Sequence, residues 1–168
     1  TPFNQVDHVV LAGGCAVLDR LSGQETTATH SLSLHRFAEP GQVPGNATRV
    51  ISDAAGSQQV CIRRLPLISN RQITAGRLEE TGNPERPAIR LLLDHQGAVL
   101  WMQTCHEAPG DVLAVVLDGF YWFALRIPRP LDTQSIRVDG PIGRSEAEAI
   151  VKSLPKLYRK QNPSLKLF

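Results

Sequence analysis

Few side chains in this chain combine a reactive type with a productive spacing. Cys105 and His106 supply a thiol and an imidazole side by side, the two groups of a nucleophile and its base. Adjacent residues on a helix point about 100° apart, so the two heads do not converge. His30 and His35 flank one extended run, and His95 and His106 flank a helical one. No His-x3-His or Cys-x2-Cys spacing of the zinc-binding kind occurs. Glu79, Glu80 and Asp94 lie beside loops as isolated acids, and no phosphate-cradling glycine loop or nucleophile elbow is present. The residues therefore point to no enzyme, no cofactor and no metal. They point to binding. Arg90, Tyr121, Phe123, Arg129 and Arg137 are the expected partner-binding residues, because Tyr and Arg dominate the hot spots of protein interfaces. The competing reading makes the aromatics core and the arginines solvated.

The elements that position these residues are legible at their turns. Val112–Leu117 and Phe120–Leu125 are two β-prone runs joined by Asp118-Gly119, a pair suited to the positive φ of a type I′ hairpin. An uninterrupted hairpin sets Leu117, Val115 and Leu113 against Phe120, Trp122 and Ala124. Its other face carries Val116, Ala114 and Val112 against Tyr121, Phe123 and Leu125. Both faces are apolar, so one must meet the helices and the other the N-terminal part of the chain or a partner. Strands are expected at Ala88–Leu93 and Ser135–Val138, with Ile89, Leu91, Leu93, Ile136 and Val138 on the core side. Arg90, Ser135 and Arg137 then share the opposite face with half of the hairpin aromatics.

Gln96–His106 has helical spacing and stops at Ala108-Pro109-Gly110. A second helix is expected over 146–154, capped by Ser145 with Glu148, and Pro155 ends or kinks it. Upstream, Val6–Leu11 suggests a strand and Cys15–Leu21 a short helix. Thr29–Phe37 alternates as a half-buried strand. Residues 38–58 read as loop with a short strand at Thr48–Ile51. Val60–Leu65 is a further strand, and Ile68–Glu80 a helical turn followed by a strand. The loop 81–87 is the expected boundary between an N-terminal β-rich subdomain, 1–81, and an α+β subdomain, 82–168.

The 168 residues allow one domain or two small ones. A net charge of +2 argues against a dedicated nucleic-acid binder. No apolar run approaches the roughly 18 residues that span a bilayer. The chain begins Thr1-Pro2 with no signal-peptide core, and a signal or anchor is expected to lie outside it. Leu11 to Cys15 resembles a lipoprotein cleavage site but lacks the regions that precede one. The three cysteines, Cys15, Cys61 and Cys105, allow one disulfide with a free thiol, or three buried thiols. The basic residues Lys152, Lys156, Arg159, Lys160 and Lys166 suit either an anionic partner or a solvated helix end.

Three segments, Arg86 to Gly97 (RPAIRLLLDHQG), Asp111 to Gly119 (DVLAVVLDG) and Gly140 to Leu154 (GPIGRSEAEAIVKSL), together resemble SecD, in the head of its first large periplasmic domain. Arg64 to Gly76 (RLPLISNRQITAG) is similar to the run that precedes that head, so the resemblance covers roughly 64–154. It implies a periplasmic location and a non-enzymatic α+β fold: an antiparallel or mixed sheet with two helices packed on one face, plus the smaller β-rich N-terminal part. It also implies contact with chains emerging from the Sec channel. The chain departs from SecD in lacking membrane helices and in the aromatic block Phe120–Phe123. The expectation drawn from this is a periplasmic protein-binding module. Its leading role is an immunity protein occluding a secreted, cell-wall-directed toxin, with 38–58 and 81–87 as plugging loops. The alternative is an accessory or excised part of the Sec machinery that binds translocating chains.

Overall fold

The structure, a computed structural model, describes residues 29–42, 44–129 and 134–164. The strand and helix expected over 6–21 lie outside these, as do Cys15 and Lys166. In chain order the elements are β1 (Leu32–Arg36), a 3-10 turn (Gly45–Ala47), β2 (Thr48–Ser52), β3 (Gln59–Arg63), β4 (Ile68–Ser69) and β5 (Ile73–Glu79). There follow β6 (Ala88–Leu93), α1 (His95–Glu107), β7 (Val112–Leu117), β8 (Phe120–Arg126), β9 (Ser135–Val138) and α2 (Arg144–Gln161). The architecture is α+β. A short β4 opens the segment in which the sequence suggests a helical turn.

The strands form separate sheets, ordered β4-β1-β7-β8, β2-β3 and β5-β6-β9, with every named pairing antiparallel. This corrects the expectation of one sheet in which Arg90 and Arg137 share a face with the hairpin aromatics. Centrally, β1 pairs with β7 along its whole length, and β5 pairs with β6 across the 81–87 connection. Strands from both sides of residue 81 thus share sheets. One core joins Leu32, Leu34, Ile68 and Ile73 to Ile89, Leu91, Trp101, Leu113, Ile136 and Leu154. The ribbon β2–β3 covers the outer face of β7, burying Ile62, Ala114 and Val116 with Phe37, Ile51 and Tyr121 around them.

The hairpin turns where its residues require. Asp118 and Gly119 have φ of 53° and 86°, as the left-handed turn positions demand. Asp118 also accepts from the backbone N–H of Ser31 at 2.8 Å and pairs with His30 Nδ1 at 2.8 Å, so the turn is anchored to the start of β1. The register then slips: Val116 pairs with Tyr121 but Val115 with Phe123. Trp122 is the extra residue of a β-bulge.

The bulge moves Phe123 to the opposite face from Tyr121, against the uninterrupted reading. Trp122 and Phe123 both pack on the main core, their rings edge to face with centroids 5.0 Å apart. Helix α2 starts at an uncapped Gly143 rather than at a Ser145 capping box. Its start is set from afar: the Arg144 N–H donates to Glu85 O and its guanidinium to Glu80 and Pro84 O. The helix also runs through Pro155. Its last turns are held where Tyr158 donates to Asp94 at 3.1 Å and Asn162 to Arg71 O at 3.0 Å.

Candidate functional site

The strand β6 alternates, so Ile89 and Leu91 face the core while Arg90 faces out. Its neighbours keep that phase. Arg77 on β5, Arg90 on β6 and Arg137 on β9 are register partners, which lines three guanidinium-bearing residues across the sheet. Glu79 neutralises part of that charge. Arg90 Nη2 donates to its carboxylate at 3.0 Å, and Arg137 Nε lies 3.9 Å away. The hydrogen bond from Arg90 holds the Glu79 carboxyl below its ordinary pKa range; the charges of Arg90, Arg137 and Arg77 act in the same direction and partial burial opposes them. Arg90 Nη1 also donates to Ser135 Oγ at 3.0 Å.

Where this row meets the end of β8, a cavity of about 240 Å³ opens. Arg90, Arg126, Arg129 and Arg137 line it together with Trp101, Leu125, Pro128, Ser135 and Ile136. Trp101 and Ile136 are buried apolar residues and Leu125 is half-buried, so the floor is apolar. Arg126, Arg129 and Arg137 are exposed and form a cationic rim. Among the described residues no acid lines the cavity. Arg126 donates to Gly110 O at 2.8 Å. Neither Arg126 nor Arg129 has a carboxylate partner among the described residues. Among the described residues both strands beside the cavity, β8 and β9, end their sheets.

The expected binding residues thus divide. Arg90, Arg129 and Arg137 come together at one cavity. Tyr121 does not join them: it is half-buried beneath the β2–β3 ribbon, its ring edge-on to Phe37 at 6.2 Å. Phe123 is turned inward by the bulge and lies against Gly140, where a Cβ would overlap the ring. Sequence reasoning missed Arg126, three residues before Arg129, and Trp101. The first is signalled by its place in the Arg126-Ile-Pro-Arg129 run. The second stands on the apolar stripe of α1, which carries no mark of what it will touch.

The reactive residues stay apart. Cys105 is buried and His106 exposed, on different sides of α1, and burial pushes the Cys105 thiol up. Cys61 and Cys105 are free thiols. Among the described residues no three His, Cys, Asp or Glu side chains cluster as metal ligands, and no helix is long and apolar enough to cross a membrane. Lys152, Lys156, Arg159 and Lys160 are exposed along α2.

No protein-family model matches the chain, and no curated protein does. Solved structures do. A crystal structure of SecDF in a super-membrane-facing form is similar at 17% identity and a TM-score of 0.54, over 76% of this chain and 18% of that one. The chain spans under a fifth of that SecDF. A second structure, of SecDF as a membrane component that enhances protein export, is similar at 17% identity and a TM-score of 0.54, over 92% of this chain and 70% of that one. The SecD resemblance carried by the hairpin and helix motifs is therefore present in the fold, and the chain has a SecD-like α+β architecture.

Proposed function

We propose that this chain is a non-enzymatic module of the protein-export type, working in the periplasm by binding extended polypeptide. One observation carries the reading: the arginine-rimmed, apolar-floored cavity bordered by the edge strands β8 and β9. Its volume of about 240 Å³ is below the roughly 300–1,000 Å³ of small-molecule sites, a size for one or two side chains of a longer chain. Edge strands offer main-chain groups to an added strand, the usual way a sheet recognises extended peptide. The SecDF of similar fold enhances protein export, which favours this role over toxin inhibition. Parts of the two candidate plugging loops are tied to the body of the fold. Residues 48–63 form the ribbon that covers β7. The loop 81–87 is pinned by Thr81 Oγ1 donating to Arg86 O and by Arg144.

The test is binding of the purified chain to a secretory protein presented either reduced and unfolded or folded. Capture of the unfolded form alone is expected, weakened about tenfold by a combined Arg129→Glu and Arg137→Glu exchange. Recovery from periplasmic extract of one folded toxin in equal amount would overturn the reading in favour of inhibition.

A further inference from the structure

We infer that the cavity between β8 and β9 selects an acidic side chain, Glu or Asp, on the bound extended chain. This rests on the polypeptide-binding reading and adds what is recognised. Two independent features point to a ligand group that only accepts hydrogen bonds.

The first is charge. Among the described residues four arginines and no acid line the cavity, and the nearby Glu79 and Asp139 are already committed. Glu79 is held by Arg90, and Asp139 lies 3.3 Å from Arg137. The guanidiniums of Arg126 and Arg129 retain donors with no carboxylate among the described residues to receive them. The second is Trp101. It is 1% exposed and forms part of the floor. Its indole Nε1, buried, has no hydrogen-bond partner among the described residues. An indole N–H can only donate, and a buried donor without an acceptor is costly. A carboxylate is acceptor-only, and arginine forks match its geometry. The apolar floor of Trp101, Leu125 and Ile136 suits the methylene stem that carries such a carboxylate.

The experiment uses the full chain and three fluorescent peptides, twelve residues long by design and identical except for a central Glu-Glu, Gln-Gln or Lys-Lys, read by anisotropy. The Glu peptide is expected to bind about tenfold tighter than the Gln peptide, a fold-change typical of one charge-assisted hydrogen bond. Its advantage shrinks as salt rises. Arg129→Glu, at an exposed position, is expected to abolish the Glu peptide's advantage over the Gln peptide; Arg137→Gln does so in part. Equal binding of the Glu and Gln peptides overturns the acidic preference and leaves polypeptide binding standing. Absence of binding by all three overturns both. Binding of inorganic phosphate without any preference for the Glu peptide also overturns it, as the cavity would then take a free anion.

Discussion

His35 shows how one buried residue couples stability to pH. It lies on β1 under the β2–β3 ribbon, 2% exposed. Its Nδ1 is 2.8 Å from Arg63 O, and a carbonyl only accepts, so Nδ1 carries the proton. Nε2 then accepts from Ser33 Oγ at 2.9 Å. Burial lowers its pKa from the ordinary 6.5; the bond to Arg63 O opposes this and the charge of Arg49 adds to it. The folded state prefers the neutral ring. That stabilisation is present above the unfolded value of 6.5 and is lost as pH falls through the lowered folded value. Thermal melts are expected to lose stability across that window, and a His35→Gln variant to lose less. Equal slopes in the two proteins would assign the effect to another group. Arg90 is a second case where the partner decides the role. Read alone, it is a free binding cation; in the structure, Glu79 and Ser135 fix its guanidinium as the wall of the cavity.

Elements are decided by the same competition between local preference and distant contact. The hairpin turn follows from Asp118-Gly119, a local matter. The bulge at Trp122 does not, because nothing in Phe120–Phe123 distinguishes a regular strand from one with an extra residue; packing Trp122 and Phe123 together on the core does. Helix α2 runs past Pro155 for a similar reason. An internal proline costs about 3 kcal/mol, and burial of Ile150, Ser153 and Leu154 with the Tyr158–Asp94 bond offsets it. Pro155→Ala restores the backbone donor but loosens the unfolded chain. A net gain of about 1–3 kcal/mol in chemical denaturation is expected. A loss would mean that the proline ring packs better than the helix hydrogen bond it removes.

For the molecule as a whole, the pairing of β1 with β7 and of β5 with β6 makes the two sides of residue 81 interdependent. A fragment 82–168 lacks β1, β4 and β5 and leaves Ile89, Leu113, Val115 and Leu154 without their partners. It is expected to lack cooperative unfolding by calorimetry; a sharp two-state transition in the fragment would support a boundary at 81. The sequence by itself determined the hairpin, the strands at 88–93 and 135–138, α1 and the α+β class, because turn chemistry and apolar period are local properties of neighbouring residues. It also marked Arg90, Arg129 and Arg137 by type. Only the tertiary structure decided that the strands split into separate sheets and that Tyr121 is covered while Phe123 turns inward. It alone set those arginines around Trp101. Which strand edges lie side by side depends on contacts between residues far apart in the chain, and no local pattern encodes those.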